Sequence, residues 1–184
     1  MILYHMIQYC NRNKVLNLFL EDPLKGFKLR EISRKIKLGL PSVSTYVKEL
    51  VKERLILRKE EHGIKLLFAN RESQLFKKYK IAHNILVLEQ SGLLDELEEK
   101  YNYPAINLFG SLANGEDRKE SDIDLVVISA TKKDIDLKKF EKTLKKEIQV
   151  LNFTEKEFLE LAKKNKELLN NIINGIVLRG MVKI

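Results

Sequence analysis

The residues best suited to chemistry are two aspartates, Asp122 and Asp124, at the start of an apolar run that ends at Ile128. Runs of large and β-branched apolar residues bounded by Gly, Asn, Asp and Ser predict strands. Side chains two positions apart on a strand share a face, so we expect these carboxylates roughly 6 to 7 Å apart along the backbone. Like charges at that spacing repel unless a cation lies between them. Mg²⁺ is the natural candidate because it prefers oxygen ligands and often shares substrate phosphates.

The elements that must position this pair begin one strand earlier. A short apolar run, Ala105–Phe109, predicts a strand, and Gly110 and Ser111 follow it directly before a polar turn. Ten residues, 112–121, then separate Ser111 from Asp122. An isolated Asp-x-Asp is more often a solvated strand entry, and an isolated Gly–Ser is more often a simple turn. Here both features occur together, each next to a predicted strand, and this combination favours a functional site.

The pattern of strand, Gly–Ser, about ten residues and Asp-apolar-Asp on the next strand resembles the DNA polymerase β-type nucleotidyltransferase superfamily. The resemblance implies that Gly110 and Ser111 hold the phosphates of a nucleoside triphosphate. It implies that Asp122 and Asp124 bind Mg²⁺ and take part in catalysis. The order of strand, helix, strand, helix, strand and helices resembles the small core of that superfamily, and residues 175–178 resemble the ending of its minimal members.

The third predicted strand departs from the superfamily's pattern. The superfamily has a third carboxylate on this strand, and the aligned position here is Gln149. Glutamine accepts hydrogen bonds but cannot take a proton as a general base. Glu147 is expected on the same face, one pleat earlier, and is an alternative acid. Two functions therefore stay open: a nucleotidyltransferase, or a domain without transferase activity that senses nucleotide or dimerises.

Charge is distributed unevenly along the 184 residues. Residues 1–80 hold 18 Lys and Arg against 8 Asp and Glu, whereas residues 81–184 hold 16 against 18. The excess positive charge, +8 for the whole chain, therefore comes from the first part. A basic module joined to a near-neutral one is typical of a polyanion-binding domain attached to a second domain with another task.

The basic part predicts three helices followed by a hairpin. Apolar spacing indicates helices over 12–21, about 28–37 and from Leu40 onward. Two apolar-rich runs, Leu55–Lys59 and Ile64–Ala69, are joined by four residues that include a glycine, which predicts a hairpin. This order resembles the winged helix-turn-helix of ArsR- and MarR-like regulators.

That second resemblance implies binding to double-stranded DNA. It implies that base edges or phosphates are contacted by Ser42, Ser44, Thr45 and Tyr46. The DNA backbone would be contacted by Arg30, Lys48 and Lys52, and the wing would carry Lys59 and Lys65. The alternative is a winged helix used only for protein contacts or dimerisation, with its lysines as a solvated face.

The remaining segments are predominantly helical by composition. Asp134–Glu147 predicts an amphipathic helix whose lysines form a solvated face, and Thr154 with Glu157 predicts a capping box. The other predicted elements are helices over 72–90, Leu93–Lys100, Glu155–Lys164 and Lys166–Asn174, and a strand over Ile148–Phe153.

The sequence therefore predicts an α+β protein with three parts. These are a winged helix-turn-helix over residues 1–71, a helical connector over 72–103 and a small mixed-sheet nucleotidyltransferase-like domain over 104–184. Expected partners are DNA, a nucleotide, a second copy of the chain and, if the protein is antitoxin-like, a toxin of the HEPN type.

A cytoplasmic location is expected from three features of the sequence. The single cysteine, Cys10, cannot form an internal disulfide, and no apolar run approaches the 18 residues of a membrane span. The first ten residues lack the basic region and the small-residue cleavage site of a signal peptide.

Overall fold

The computed structural model describes residues 10–182, so the stretch interpreted as lacking a signal peptide lies almost wholly outside the described residues. The chain divides into two compact units, Met1–Lys80 and Ile81–Ile184. The division falls inside one helix, Gln74–Ser91. Across residues 10–182, no helix has both the length and the apolar character needed to cross a bilayer.

Residues 10–73 of the first unit form three helices and a two-stranded antiparallel hairpin. The elements are α1 (Asn11–Glu21), α2 (Leu29–Ile36), α3 (Leu40–Lys52), β1 (Ile56–Glu61) and β2 (Ile64–Ala69), followed by the first part of α4 (Gln74–Ser91). The three predicted helices and the hairpin are confirmed to within two residues at most ends. The hairpin turn is shorter than predicted, because β1 continues to Glu61 and leaves His62 and Gly63 in the turn.

The core of this unit follows from the helical spacing of apolar residues. In α3, Val43, Val47 and Leu50 are all buried, as one stripe at spacings of three and four requires. Phe19 of α1 packs edge-on against Phe27, with ring centroids 5.1 Å apart. These contacts hold the outer face of α3 at the surface, where Lys48 and Lys52 lie.

The second unit is a four-stranded mixed sheet with helices on both faces. It contains the rest of α4, then α5 (Leu93–Tyr101), β3 (Ala105–Phe109), α6 (Gly110–Asn114), β4 (Ile123–Ile128), α7 (Lys138–Leu144), β5 (Ile148–Phe153), α8 (Glu155–Lys164), α9 (Lys166–Ile173) and β6 (Ile176–Arg179). The strand order is β5-β4-β3-β6. Strand β4 pairs antiparallel with β3 and parallel with β5, so the predicted mixed sheet is confirmed.

Strand alternation divides this unit into two apolar layers. Ile123, Leu125 and Val127 of β4 contact one cluster, which also includes residues of α5. Val126 and Ile128 contact the other, which includes residues of α8 and α9. Because side chains alternate along a strand, Asp124 lies on the second of these faces.

Two predicted segments differ from the structure. The stretch after Phe109 was predicted as a polar turn, but it forms the short helix α6 before the loop begins. The helix predicted over Asp134–Glu147 is confined to α7, Lys138–Leu144. The helix begins only at Lys138, whose backbone N–H donates a hydrogen bond to the Asp136 side chain. It ends after Leu144, because Lys145 has a left-handed φ of 55°.

The lysines of that segment do not all form a solvated face. The Lys146 ammonium is directed back at the backbone of residues 118–121, with Nζ 2.7 Å from the carbonyl oxygen of Arg118. Lys139 pairs with Glu96 at 2.8 Å. The solvated-face prediction was wrong for Lys146, because its contacts with the loop withdraw it from solvent, whereas the Lys139 side chain remains 59% exposed despite its ion pair.

Candidate functional site

The two predicted halves of the site meet at one end of the sheet. Strands β3 and β4 are antiparallel, so the carboxyl end of β3 lies beside the amino end of β4. The register pairs Phe109 with Asp124. Gly110 and Ser111 follow Phe109 directly, and the strand order therefore brings the Gly–Ser pair next to the Asp-x-Asp.

Gly110 lies close enough to Asp124 to exclude a side chain. Its φ is +69°, a left-handed conformation that glycine adopts without strain. A Cβ added there would lie 3.3 Å from Cγ of Asp124 and would overlap its Oδ2 atom. Two structural features therefore favour glycine at this position: the left-handed backbone conformation and the close approach of the Asp124 carboxylate.

The Asp124 carboxylate lies in an electrostatically unfavourable place. Partial burial raises the pKa of Asp124 above the ordinary value, and the negative charge of Asp122 raises it further. Both causes disfavour the ionised form. A cation bound between the two carboxylates would reverse the second cause and compensate for the first.

Gln149 completes this group of side chains. Strands β4 and β5 are parallel, and their register places Gln149 beside Asp124. The Gln149 amide donates a hydrogen bond from Nε2 to Oδ2 of Asp122, at a distance of 2.9 Å. One oxygen of Asp122 therefore accepts a hydrogen bond from a neutral donor, Gln149, at the position aligned with the third carboxylate of the nucleotidyltransferase superfamily.

The donor set fits a hard divalent cation held by two carboxylates. Asp122 and Asp124 supply oxygen atoms, the ligand type that Mg²⁺ prefers. In the part of the chain that the structure describes, no group of three or more His, Cys, Asp or Glu side chains is arranged to hold a metal ion. Glu147 is exposed and does not form a three-carboxylate set with the two aspartates.

Ser111 lies in the first turn of α6 and is partly buried. Its carbonyl oxygen accepts a hydrogen bond from the backbone N–H of Glu116 at 3.0 Å, which folds the loop back onto α6. Apolar periodicity did not reveal this short helix.

The predicted DNA-contacting residues lie on the first unit and are mostly exposed. Arg30, Ser42, Thr45, Lys48 and Lys52 are exposed on α2 and α3. Tyr46 differs because it packs partly against the apolar core. The Thr45 hydroxyl donates to the carbonyl oxygen of Pro41 at 3.2 Å, so it is already engaged as a donor.

Part of this set surrounds a cavity of about 400 Å³. Ser44, Lys59 and Lys65 line it together with Arg58, which was not among the predicted residues. Lys59 also lies over the ring of Phe68, with Nζ 5.5 Å from the ring centroid, within the range of about 6 Å for a cation–π contact. The structure therefore groups three of the nine predicted residues and leaves the others distributed over α2 and α3.

Three side chains beneath the candidate catalytic edge were not predicted as functional. Asn84, Asp117 and Lys146 are joined by hydrogen bonds and an ion pair, and Asp117 is 1% exposed. The polar Asn84 within a largely apolar stretch of helix was the available signal. The role of Asn84 depends on its contact with the loop after α6, and apolar periodicity does not show that contact.

Comparison with known protein families gives a match within the second unit. The family model described as Polymerase beta, Nucleotidyltransferase matches residues 93–180, a range that includes Gly110, Ser111, Asp122 and Asp124. The match supports a nucleotidyltransferase domain in this part of the chain and a function of the nucleotidyl-transfer type. Neither a curated protein nor a solved structure matches the chain.

Proposed function

We propose that the second unit binds a nucleoside triphosphate with Mg²⁺ and transfers its nucleotidyl group to an acceptor hydroxyl. Gly110 and Ser111 would hold the phosphates, and Asp122 and Asp124 would bind the cation. The observation that carries the proposal is the close approach of Gly110 to the Asp124 carboxylate, which joins the two halves of the site. The family match over residues 93–180 supports the same class of reaction.

In such a reaction the acceptor oxygen forms a bond to the α-phosphorus while the bond to pyrophosphate breaks. The cation, when bound, supplies charge stabilisation for the phosphate oxygens. The residues of the chain bind and orient: Gly110 leaves room for the Asp124 carboxylate, and Gln149 fixes the orientation of Asp122. The acceptor proton must leave without help from Gln149, because an amide is not a general base.

A second candidate function follows from that last point. The hydrogen bond from Gln149 to Asp122 favours a domain that binds nucleotide without efficient transfer. Such a domain would serve as a nucleotide sensor or a dimerisation body within a transcriptional regulator. Both candidates share the cation and nucleotide site and differ in turnover.

The first unit is proposed to bind double-stranded DNA as a winged helix-turn-helix. Three helices followed by a hairpin, exposed Lys48 and Lys52 on α3, and the concentration of positive charge in residues 1–80 support this proposal. A helix that enters the major groove presents small polar residues to base edges and lysines to phosphates. A dimer and an antitoxin-like pairing with a HEPN-type toxin are further proposals about partners.

A labelled nucleotide separates the two candidates. The purified chain is incubated with Mg²⁺ and each of ATP, CTP, GTP and UTP carrying a radioactive α-phosphate, with cell extract as the source of acceptors. Transfer predicts labelled acceptor and an equal amount of released pyrophosphate. Nucleotide binding by the same preparation without pyrophosphate release would exclude the transferase and leave the regulator.

A further inference from the structure

Lys146 forms hydrogen bonds with the backbone of the loop that precedes the Asp-x-Asp. Its Nζ atom donates to the carbonyl oxygens of Arg118, Lys119 and Ser121, at 2.7, 3.1 and 2.9 Å. One ammonium thus gathers three backbone acceptors within four residues of chain. Ser121 is the residue directly before Asp122, so the last of these contacts adjoins the first candidate metal ligand.

The same ammonium pairs with a buried carboxylate. Lys146 Nζ lies 3.8 Å from Oδ2 of Asp117, whose side chain is fully buried, whereas the Lys146 side chain is 18% exposed. A buried carboxylate is costly unless it is paired and hydrogen-bonded. Lys146 therefore contributes to the charge balance of Asp117, and this pair connects the start of the loop with its end.

Asn84 of α4 extends the network to the other half of the site. Its Nδ2 atom donates to Oδ1 of Asp117 at 2.7 Å and to the carbonyl oxygen of Leu112 at 3.1 Å. Leu112 is the residue directly after Ser111. One amide group therefore bridges the short helix that carries Ser111 and the loop that leads to Asp122.

Strand pairing places Asp124 beside the Gly–Ser pair. We propose that Lys146, with Asp117 and Asn84, is a positioning residue that holds the loop leading to Asp122, the aspartate that precedes β4. This role rests on the proposed nucleotide site. It is an indirect role, because neither Lys146 nor Asn84 is assigned a contact with the nucleotide. Residues 115–121 connect α6 to Asp122 without helix or strand, so their geometry depends on contacts with other parts of the chain. The network supplies that geometry by holding Leu112, Asp117 and Ser121 together.

The test compares Lys146→Met with Lys142→Met, a matched change of an exposed lysine on α7. Calorimetry measures the dissociation constant and the stoichiometry for the Mg²⁺–nucleotide that the wild-type chain binds most tightly. Because outer-shell partners of metal ligands are typically worth 10–100-fold in affinity, Lys146→Met is expected to weaken binding by at least about tenfold. Stoichiometry is expected to stay unchanged, whereas simple unfolding of part of the sample would lower it.

A further measurement and a further variant distinguish a positioning role from loss of folding. Hydrogen exchange without nucleotide should show faster exchange of amides 116–122 in Lys146→Met, with the strands of the sheet unchanged. If the single variant does not fold because the ion pair between Asp117 and Lys146 is lost, the double variant Asp117→Asn/Lys146→Met removes both charges and is expected to show the same weak binding.

The outcomes separate the inference from the proposed function. If the wild-type chain binds no nucleotide, the proposed function fails and the positioning role fails with it. If the wild-type chain binds and the Lys146 variants bind within about twofold of Lys142→Met, only the role of Lys146 is overturned. Weak binding at full stoichiometry, together with faster exchange of the loop, would support it.

Discussion

Gln149 donates a hydrogen bond from Nε2 to Oδ2 of Asp122, at 2.9 Å, across two parallel strands. This bond gives Asp122 a neutral hydrogen-bond donor, whereas partial burial and the charge of Asp122 raise the pKa of Asp124. The two aspartates are therefore not equivalent. Any cation at this edge is held by two carboxylates in the presence of an amide donor, and this arrangement suits binding better than proton abstraction.

The first prediction concerns Gln149→Glu. A third carboxylate should increase affinity for a divalent cation, on the order of tenfold, since the charge of the ligand set tunes affinity. The same change should lower the free energy of unfolding in cation-free buffer, because a hydrogen-bond donor becomes a third negative charge. Mn²⁺ binding followed by electron paramagnetic resonance measures the affinity. Gln149→Ala is the control, and equal Mn²⁺ affinity for the two variants would contradict the prediction.

The second prediction concerns Gly110→Ala. The left-handed backbone costs an alanine about 1–2 kcal/mol, and the new Cβ also displaces the Asp124 carboxylate. Gly92→Ala is a matched control because Gly92 has a φ of +74° and nothing within 4 Å of an added Cβ. Denaturant unfolding should show a loss of stability for both variants. Calorimetry should show weaker Mg²⁺–nucleotide binding for Gly110→Ala alone, and equal binding by both would show that the contact with Asp124 is unimportant.

The third prediction is a pH dependence that follows from the raised pKa of Asp124. The folded state holds this proton to a higher pH than the unfolded chain does. Stability therefore falls as pH rises from about 3.9, the ordinary aspartate value, through the folded pKa, and the loss persists at neutral pH. Asp124→Asn should then stabilise the cation-free protein at pH 7, with the gain vanishing near pH 3.

Thermal unfolding between pH 3 and pH 8 without divalent cations measures this difference. Glu99→Gln, the same change from carboxylate to amide at an exposed position of α5, is the control and should show no such gain. An Asp124→Asn variant that is less stable than the wild type at pH 7 would show that the carboxylate has a stabilising partner after all.

The fourth prediction concerns DNA binding by the first unit. Each phosphate contact that is removed should reduce the slope of log affinity against log salt by about 1. Lys48→Ala and Lys52→Ala should therefore each weaken binding to double-stranded DNA at low salt and flatten the salt dependence. Fluorescence anisotropy over a series of salt concentrations measures the slope. Lys142→Ala serves as the control, and an unchanged slope for the two α3 variants would contradict a phosphate-contacting role.

The strands of the site were predictable because their local pattern agrees with their tertiary role. Ala105–Phe109 and Ile123–Ile128 are short apolar runs with polar boundaries, and the sheet buries them on both faces. The capping box of Thr154 and Glu157 was also predictable, since both of its hydrogen bonds are local, and it is present at the start of α8. Such features depend on neighbouring residues alone.

The features that the sequence did not reveal depend on distant residues. Lys146 belongs to a lysine-rich segment, and nothing local separates it from the exposed Lys142. Its role depends on carbonyl oxygens that lie at least 25 residues earlier in the chain. The hydrogen bond between Gln149 and Asp122 likewise depends on the register of two strands 27 residues apart. Periodicity locates elements, but it does not give the register or the direction of a loop carbonyl.

The most direct test of the central claim is calorimetric titration of the chain with ATP, CTP, GTP and UTP, in Mg²⁺ and in EDTA. We expect at least one triphosphate to bind with Mg²⁺ and not with EDTA. We also expect Asp122→Asn/Asp124→Asn to abolish this binding while DNA binding is unchanged. Absence of binding by every triphosphate, or equal binding by the double variant, would contradict the assignment of this edge of the sheet as a cation and nucleotide site.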